Sequence, residues 1–138
     1  MVCIQNNRKE IDYNIDSPDK INVNILEIIE YAYKAKRDID ITICQPEFTS
    51  LCPMTGLPDF GSITIKYRPD KMIVELKSLK IYLLQYRNVG IFYEHVVNKI
   101  LDDISKVLRP KWMEITGEFT ARGGITTSTK AVYNQKTD

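Results

Sequence analysis

The stretch SITIKYRPDKMIVELKSLKIYLLQY, residues 62–86, changes its apolar period part-way along, and that change decides the fold. Ile63, Ile65 and Tyr67 alternate with polar residues, which puts them on one face of a half-buried strand. Arg68-Pro69-Asp70-Lys71 has turn chemistry, and residues 72–76 read as the returning strand of a hairpin. Further on, Leu79, Leu83 and Tyr86 recur at helical spacing and predict a helix over residues 79–86.

The chain around this stretch repeats both periods. Downstream, Arg87-Asn88-Val89-Gly90 interrupts, and residues 91–108 form a longer helical pattern closed by Arg109-Pro110. Residues 112–120 and 125–133 are strand patterns around Ala121-Arg122-Gly123-Gly124. Upstream, DIDITIC (38–44) alternates through Ile39, Ile41 and Ile43 as a half-buried strand. Between it and residue 62 lies FTSLCPMTGLPDF (48–60), read as a loop broken by Pro46, Pro53, Gly56 and Pro58. ILEIIEYAYKAK (25–36) has helix-like apolar spacing. Residues 1–22, rich in Asn, Asp and Lys, read as a loosely ordered arm, which leaves 23–138 as one domain. The order of elements predicts an α+β fold, a single sheet with its helices on one face.

Bulk properties narrow the function. The 138 residues carry 19 Lys+Arg against 18 Asp+Glu, a net charge of +1, which lacks the basic excess of a nucleic-acid binder. No apolar run reaches the roughly 18 residues of a membrane span, and MVCIQNNRKE has no signal-peptide core, so a cytoplasmic protein without membrane partners is expected. The three cysteines, Cys3, Cys44 and Cys52, form no C-x-x-C pair, and His95 is the sole histidine. A disulfide framework is disfavoured, and a zinc shell would be short of ligands, so no metal is expected.

One thiol and one acid stand out. Cys52 precedes Pro53, and Asp59 follows Pro58, so each sits beside a residue that restricts the backbone. A thiol held on a rigid turn can be activated as a nucleophile, and Asp59 can return to exchange protons with whatever it attacks. The plainer reading makes Cys52 a small core residue and Asp59 a turn former. Lys77 and Lys80 are one helical step apart, and with Arg122 beside Gly123-Gly124 they suit phosphate groups, or else a solvated helix face. Glu94, at the apolar start of a helix, needs a donor, either an internal arginine or a ligand presenting adjacent N–H groups. A spacing of Pro46, Thr49 and Cys52 similar to peroxidatic cysteines is one residue short between Pro46 and Thr49.

Taken together, FTSLCPMTGLPDF, ELKSLKIY, YRN, FYEHVVN and GEFTARGG closely resemble the 7-cyano-7-deazaguanine reductases (the QueF family) in their short, single-module form. The similarity runs from Pro46 to the last strand. It implies a tunnelling fold, with antiparallel strands and two helices per subunit assembled into a ring-shaped β-barrel. A decamer of two stacked pentamers, with active sites at subunit interfaces, is implied as well. In that family the region of residues 25–36 is extended or irregular, at odds with the helix its spacing suggests.

The implied reaction is reduction of the nitrile of 7-cyano-7-deazaguanine to a primary amine by NADPH, on the route to queuosine in tRNA. By resemblance Cys52 is the nucleophile that forms a covalent thioimide, and Asp59 is the proton donor. Glu94 would grip the pyrimidinone edge, with Val74, Glu75, Leu76 and Tyr93 lining the same pocket. Lys77, Lys80 and Arg122 would meet NADPH phosphates. Two positions depart from the pattern. Tyr93 stands where many members carry histidine, and His95, two helical positions on and roughly 200° round, does not replace it from the same direction. Leu76 replaces a frequent serine. The competing readings are a relative that adds an amine to a nitrile in tRNA without reduction, which lacks the cofactor segment, a zinc-dependent pterin-type enzyme, and a non-catalytic ring-forming scaffold.

Overall fold

The computed structural model describes residues 14–136. Its elements in chain order are β1 (Ile28–Glu30), β2 (Ile41–Leu51), β3 (Pro58–Arg68), β4 (Met72–Val74), α1 (Leu76–Leu84), α2 (Tyr93–Leu108), β5 (Trp112–Arg122) and β6 (Ile125–Asn134), with short 3-10 turns between. The main sheet is antiparallel in the order β2-β3-β5-β6, and β1 pairs with β4 as a separate two-stranded ribbon.

Alternation along the long strands builds the core. Gly61, Ile63, Ile65 and Tyr67 of β3 and Met113, Ile115, Gly117 and Phe119 of β5 point to one buried face. On that face lies α2, whose Val96, Val97, Ile100, Leu101, Ile104 and Leu108 recur at helical spacing and are all buried. Burying each such side chain contributes about 1.5–3 kcal/mol. Arg109, in the left-handed conformation, caps the helix, and Pro110 prevents its continuation. The strands at 112–120 and 125–133 form as expected and join through Gly123-Gly124, both at positive φ, the backbone a two-residue hairpin turn requires.

Several local expectations are corrected. The segment 48–60 is mostly strand: β2 runs to Leu51 and β3 starts at Pro58, leaving only residues 52–57 as loop. Its prolines fit because Pro46 falls where the β2–β3 register shifts between Gln45 and Phe48, while Pro58 is the first residue of its strand. The hairpin of 62–67 with 72–76 does not form. Both edges of β3 are occupied by β2 and β5, so β4 leaves the sheet and pairs with β1, Ile28 opposite Val74. The Val74 N–H instead donates to the Tyr67 hydroxyl at 3.1 Å.

Residues 25–36 are not a helix. They pass through a 3-10 turn (Val23–Ile25), β1 and a turn region, because strand pairing and the flanking bonds Glu75 N–H to Glu27 C=O and Tyr31 N–H to Lys71 C=O override local propensity. Of the arm at 1–22, residues 1–13 lie outside the described residues. Residues 14–22 are tied down rather than loose: Asp16 exchanges backbone bonds with Asn88 and Gly90, and Ile21 is buried.

α1 begins earlier than the spacing of Leu79, Leu83 and Tyr86 indicates, at Leu76, because Glu75 caps it. Its carboxylate accepts the backbone N–H groups of Lys77 (2.8 Å) and Ser78 (2.6 Å). Those bonds, Ser78 first, hold the Glu75 carboxyl below its usual range.

Candidate active site

The loop closing β2 onto β3 makes a small cage for Cys52. The Cys52 N–H donates to the Leu57 carbonyl (2.9 Å), and the Gly56 N–H donates to the Cys52 carbonyl (2.8 Å). Burial pushes the Cys52 thiol up, but the Thr55 hydroxyl, the backbone N–H groups of Thr55 and Met54, and the Arg122 guanidinium outweigh it. The net effect lowers the thiol below its ordinary value. Thr55 is itself oriented, its Oγ1 accepting the Leu57 N–H at 3.2 Å. A buried thiol is inert unless something stabilises its anion. Here four groups do.

Asp59 lies on the inward row of β3, in line with Ile63, Ile65 and Tyr67. Its side chain is 3% exposed, against 43% for Arg122, whose Nη1 donates to Oδ1 at 2.7 Å. The charge is therefore buried but paired, as a buried carboxylate must be. Arg122 reaches it from the last position of β5, beside the Gly123-Gly124 turn.

Tyr93 completes the group from the first turn of α2. Its ring stacks on Phe119 with centroids 3.8 Å apart and planes 12° from parallel. Two glycines make room for that shelf. A Cβ on Gly61 would stand 2.8 Å from Phe119 Cδ1 and 2.6 Å from the Glu118 carbonyl, and one on Gly117 would stand 2.8 Å from Phe119 Cε2. Burial pushes the Tyr93 phenol up, Arg122 pulls it down, and Asp59 pushes it up. The hydroxyl thus feels both charges, yet it meets no partner in hydrogen-bonding geometry among the described residues.

Cys52, Asp59, Tyr93 and Arg122 are therefore brought together. Glu94 is next to Tyr93, exposed, and its carboxylate takes no hydrogen bond or ion pair among the described residues. Among the described residues, the internal arginine partner expected as one option is not found. His95 is exposed and meets Phe92 edge-to-face at 5.7 Å.

The remaining predicted residues lie elsewhere. Val74 abuts Tyr67, eight residues from Asp59 along β3, roughly 27 Å of strand. Val74 is buried, Leu76, Lys77 and Lys80 are exposed, and Glu75 is spent on its cap. A shallow cleft there is lined by Asn24, Ile25, Glu27, Glu75, Lys77 and Ser78 among others. Arg122 does not gather with Lys77 and Lys80 within one chain: it belongs to the thiol end. Sequence reasoning missed Thr55, Phe119 and Ser50. The T-G after Pro53 hinted at the first, and only the β2–β3 register reveals Ser50 opposite Asp59.

Known proteins resemble this chain over most of its length. The family model described as QueF-like protein matches residues 58–138. The NADPH-dependent 7-cyano-7-deazaguanine reductase of Chloroherpeton thalassium (strain ATCC 35110 / GB-78) is 60% identical over 109 residues, 79% of this chain and 93% of the relative. Enzymes of that name from Elusimicrobium minutum (strain Pei191), and from Caldanaerobacter subterraneus subsp. tengcongensis, are 55% and 52% identical. They cover 83% and 93% of this chain and 87% and 95% of their own length. Among solved structures, the apo crystal structure of an archaeosine synthase QueF-Like superposes with a TM-score of 0.61 at 16% identity. It covers 73% of this chain and 96% of that one, a likeness of fold. With a matched family model over residues 58–138 and relatives this similar along nearly their whole length, the chain belongs to the QueF-like family.

Proposed function

We propose that the protein reduces the nitrile of 7-cyano-7-deazaguanine to 7-aminomethyl-7-deazaguanine with NADPH, in the cytoplasm, on the route to queuosine in tRNA. The observation that carries the reading is the lowered Cys52 thiol beside a buried, ion-paired Asp59. The relatives' names supply the substrate and cofactor.

Cys52 Sγ adds to the nitrile carbon. One carbon–nitrogen π pair moves to nitrogen, and the thiol's proton is passed through Asp59 to that nitrogen, leaving a covalent thioimide. NADPH, when bound, supplies hydride, and a nitrile takes up two on its way to an amine. Each uptake leaves nitrogen needing a proton, which Asp59 hands over. Between the two, the carbon–sulfur bond must break, the Cys52 thiolate leaving with the bonding pair, so that a C=N bond re-forms for the second hydride and the amine ends free of the protein. Arg122 keeps the carboxylate aimed and stabilises the sulfur anion. Glu94, exposed and unpaired among the described residues, accepts the paired N–H groups of the pyrimidinone edge.

The cofactor fits the residues present. Lys77 and Lys80 are exposed, one helical step apart, and in no ion pair among the described residues, so both are available to phosphate. These lysines, with Val74, Glu75 and Leu76, stand at the far end of the sheet from Cys52. A site using both ends needs a second copy of the chain, which supports assembly of subunits. The ring-shaped barrel and the decamer of two stacked pentamers are what the family resemblance implies for that assembly. Exposed Leu76, Ile28 and Ile29 at the far end, and Leu57, Phe60 and Phe92 at the thiol end, suit such contacts.

A non-reducing reading, after the archaeosine synthase whose fold is similar, is less favoured because ELKSLKIY supplies two lysines in no ion pair among the described residues. Loss of NADPH absorbance on adding 7-cyano-7-deazaguanine tests the choice. Consumption that depends on the nitrile is expected. Covalent capture of the nitrile without any oxidation of NADPH would favour the non-reducing reading.

A further inference from the structure

Two buried side-chain oxygens lack a hydrogen-bond partner among the described residues, Ser50 Oγ and Tyr93 Oη. Both flank Asp59. Ser50, 1% exposed, stands directly opposite Asp59 in the β2–β3 register and two residues before Cys52. Opposite residues in such a pair bring their Cβ atoms within about 5.5 Å. Tyr93 approaches the same carboxylate from α2, held flat against Phe119. A buried hydroxyl left unpaired costs about 1–3 kcal/mol. That both such groups surround one carboxylate beside the thiol points to a ligand atom that satisfies them.

We propose that Ser50 and Tyr93 form a subsite for the reacting nitrogen, their hydroxyls hydrogen-bonding it from nitrile to amine. The inference rests on the reductase reading and extends it to residues that the reading leaves without a role or with only a lining one. A nitrile nitrogen can only accept. Once sulfur has added to carbon and the thiol's proton has reached nitrogen, it carries N–H and must also donate, and the amine donates more. Arg122 can only donate, and Asp59 can only accept once it has handed its proton over, whereas a hydroxyl does both by turning its proton. Addition of S–H across the triple bond oxidises and reduces nothing, so this first step proceeds without NADPH and isolates the subsite.

The test follows covalent adduct formation by intact mass after mixing with 7-cyano-7-deazaguanine, NADPH absent, for the native chain, Ser50→Ala and Tyr93→Phe, with a melting curve for each. Each variant is expected to slow the adduct about tenfold, the size of one hydrogen bond, with the melting temperature unchanged or raised because an unsatisfied group is gone. Native-rate adducts in both variants overturn the subsite and leave the reductase reading standing. Slower adducts accompanied by lower melting temperatures make the hydroxyls structural, which also overturns it. A native chain that forms no adduct and oxidises no NADPH overturns the reductase reading and the subsite with it.

Discussion

The two ends of the sheet are built on opposite plans. At one end, Cys52, Asp59, Tyr93 and Arg122 come from the β2–β3 loop, β3, α2 and β5, and they are locked by burial, an ion pair and a ring stack. At the other, Glu75, Leu76, Lys77 and Lys80 come from the start of one helix, and the fixed Glu75 carboxylate serves that helix's own backbone. On the proposed reading the difference separates two jobs. Bond-making needs groups placed before the substrate arrives, so that no reorganisation is left for the reaction. Phosphate binding by lysines tolerates mobile, solvated side chains.

Substitutions at the two ends should therefore fail in different ways. The largest effect is expected at Asp59→Asn, which keeps the shape but can no longer exchange a proton: turnover falls about 10²–10⁴-fold, read as nitrile-dependent NADPH oxidation. An Asp59→Asn enzyme with near-native turnover would remove the closed end's claim to the chemistry.

A smaller effect is expected at Thr55→Val, which removes a hydroxyl that stabilises the Cys52 anion. Because that bond lowers the thiol, its loss raises it. The inflection in adduct rate against pH should move upward, with the rate reduced at neutral pH and recovered at alkaline pH. An unmoved inflection would mean that the cage does not tune the sulfur.

The smallest effects belong to the open end. Lys77→Ala and Lys80→Ala should each raise the NADPH concentration needed by a few-fold, about the worth of one exposed charge contact, while the rate of adduct formation without NADPH stays native. Slower adducts in both would show that the ends are not separate.

Much of this was legible in the sequence, and what was not has physical causes. The strand at 112–120 and the helix over 91–108 were readable because their apolar faces have uniform periods and their ends carry Gly-Gly and Arg-Pro. The strand content of 48–60 was hidden by prolines, which a bulge and a strand's first residue tolerate. The pairing of β4 with β1 depends on which edges of β3 were already taken, and local pattern carries no such information. In the site, Cys52 and Asp59 were marked out by their prolines, but those left a core thiol and a turn former equally open, and the catalytic roles came from the family resemblance. The placing of Arg122 at the thiol rather than with the lysines required the β3–β5 pairing, which brings the end of β5 alongside the start of β3.

The central claim is that Cys52 sulfur bonds to the nitrile carbon, and intact mass without NADPH reads it most directly. The account predicts that the native chain gains the whole mass of one 7-cyano-7-deazaguanine, nothing being lost in an addition, and that Cys52→Ala, folded and melting normally, gains none. An adduct that persists in Cys52→Ala, or none in the native chain, would contradict it.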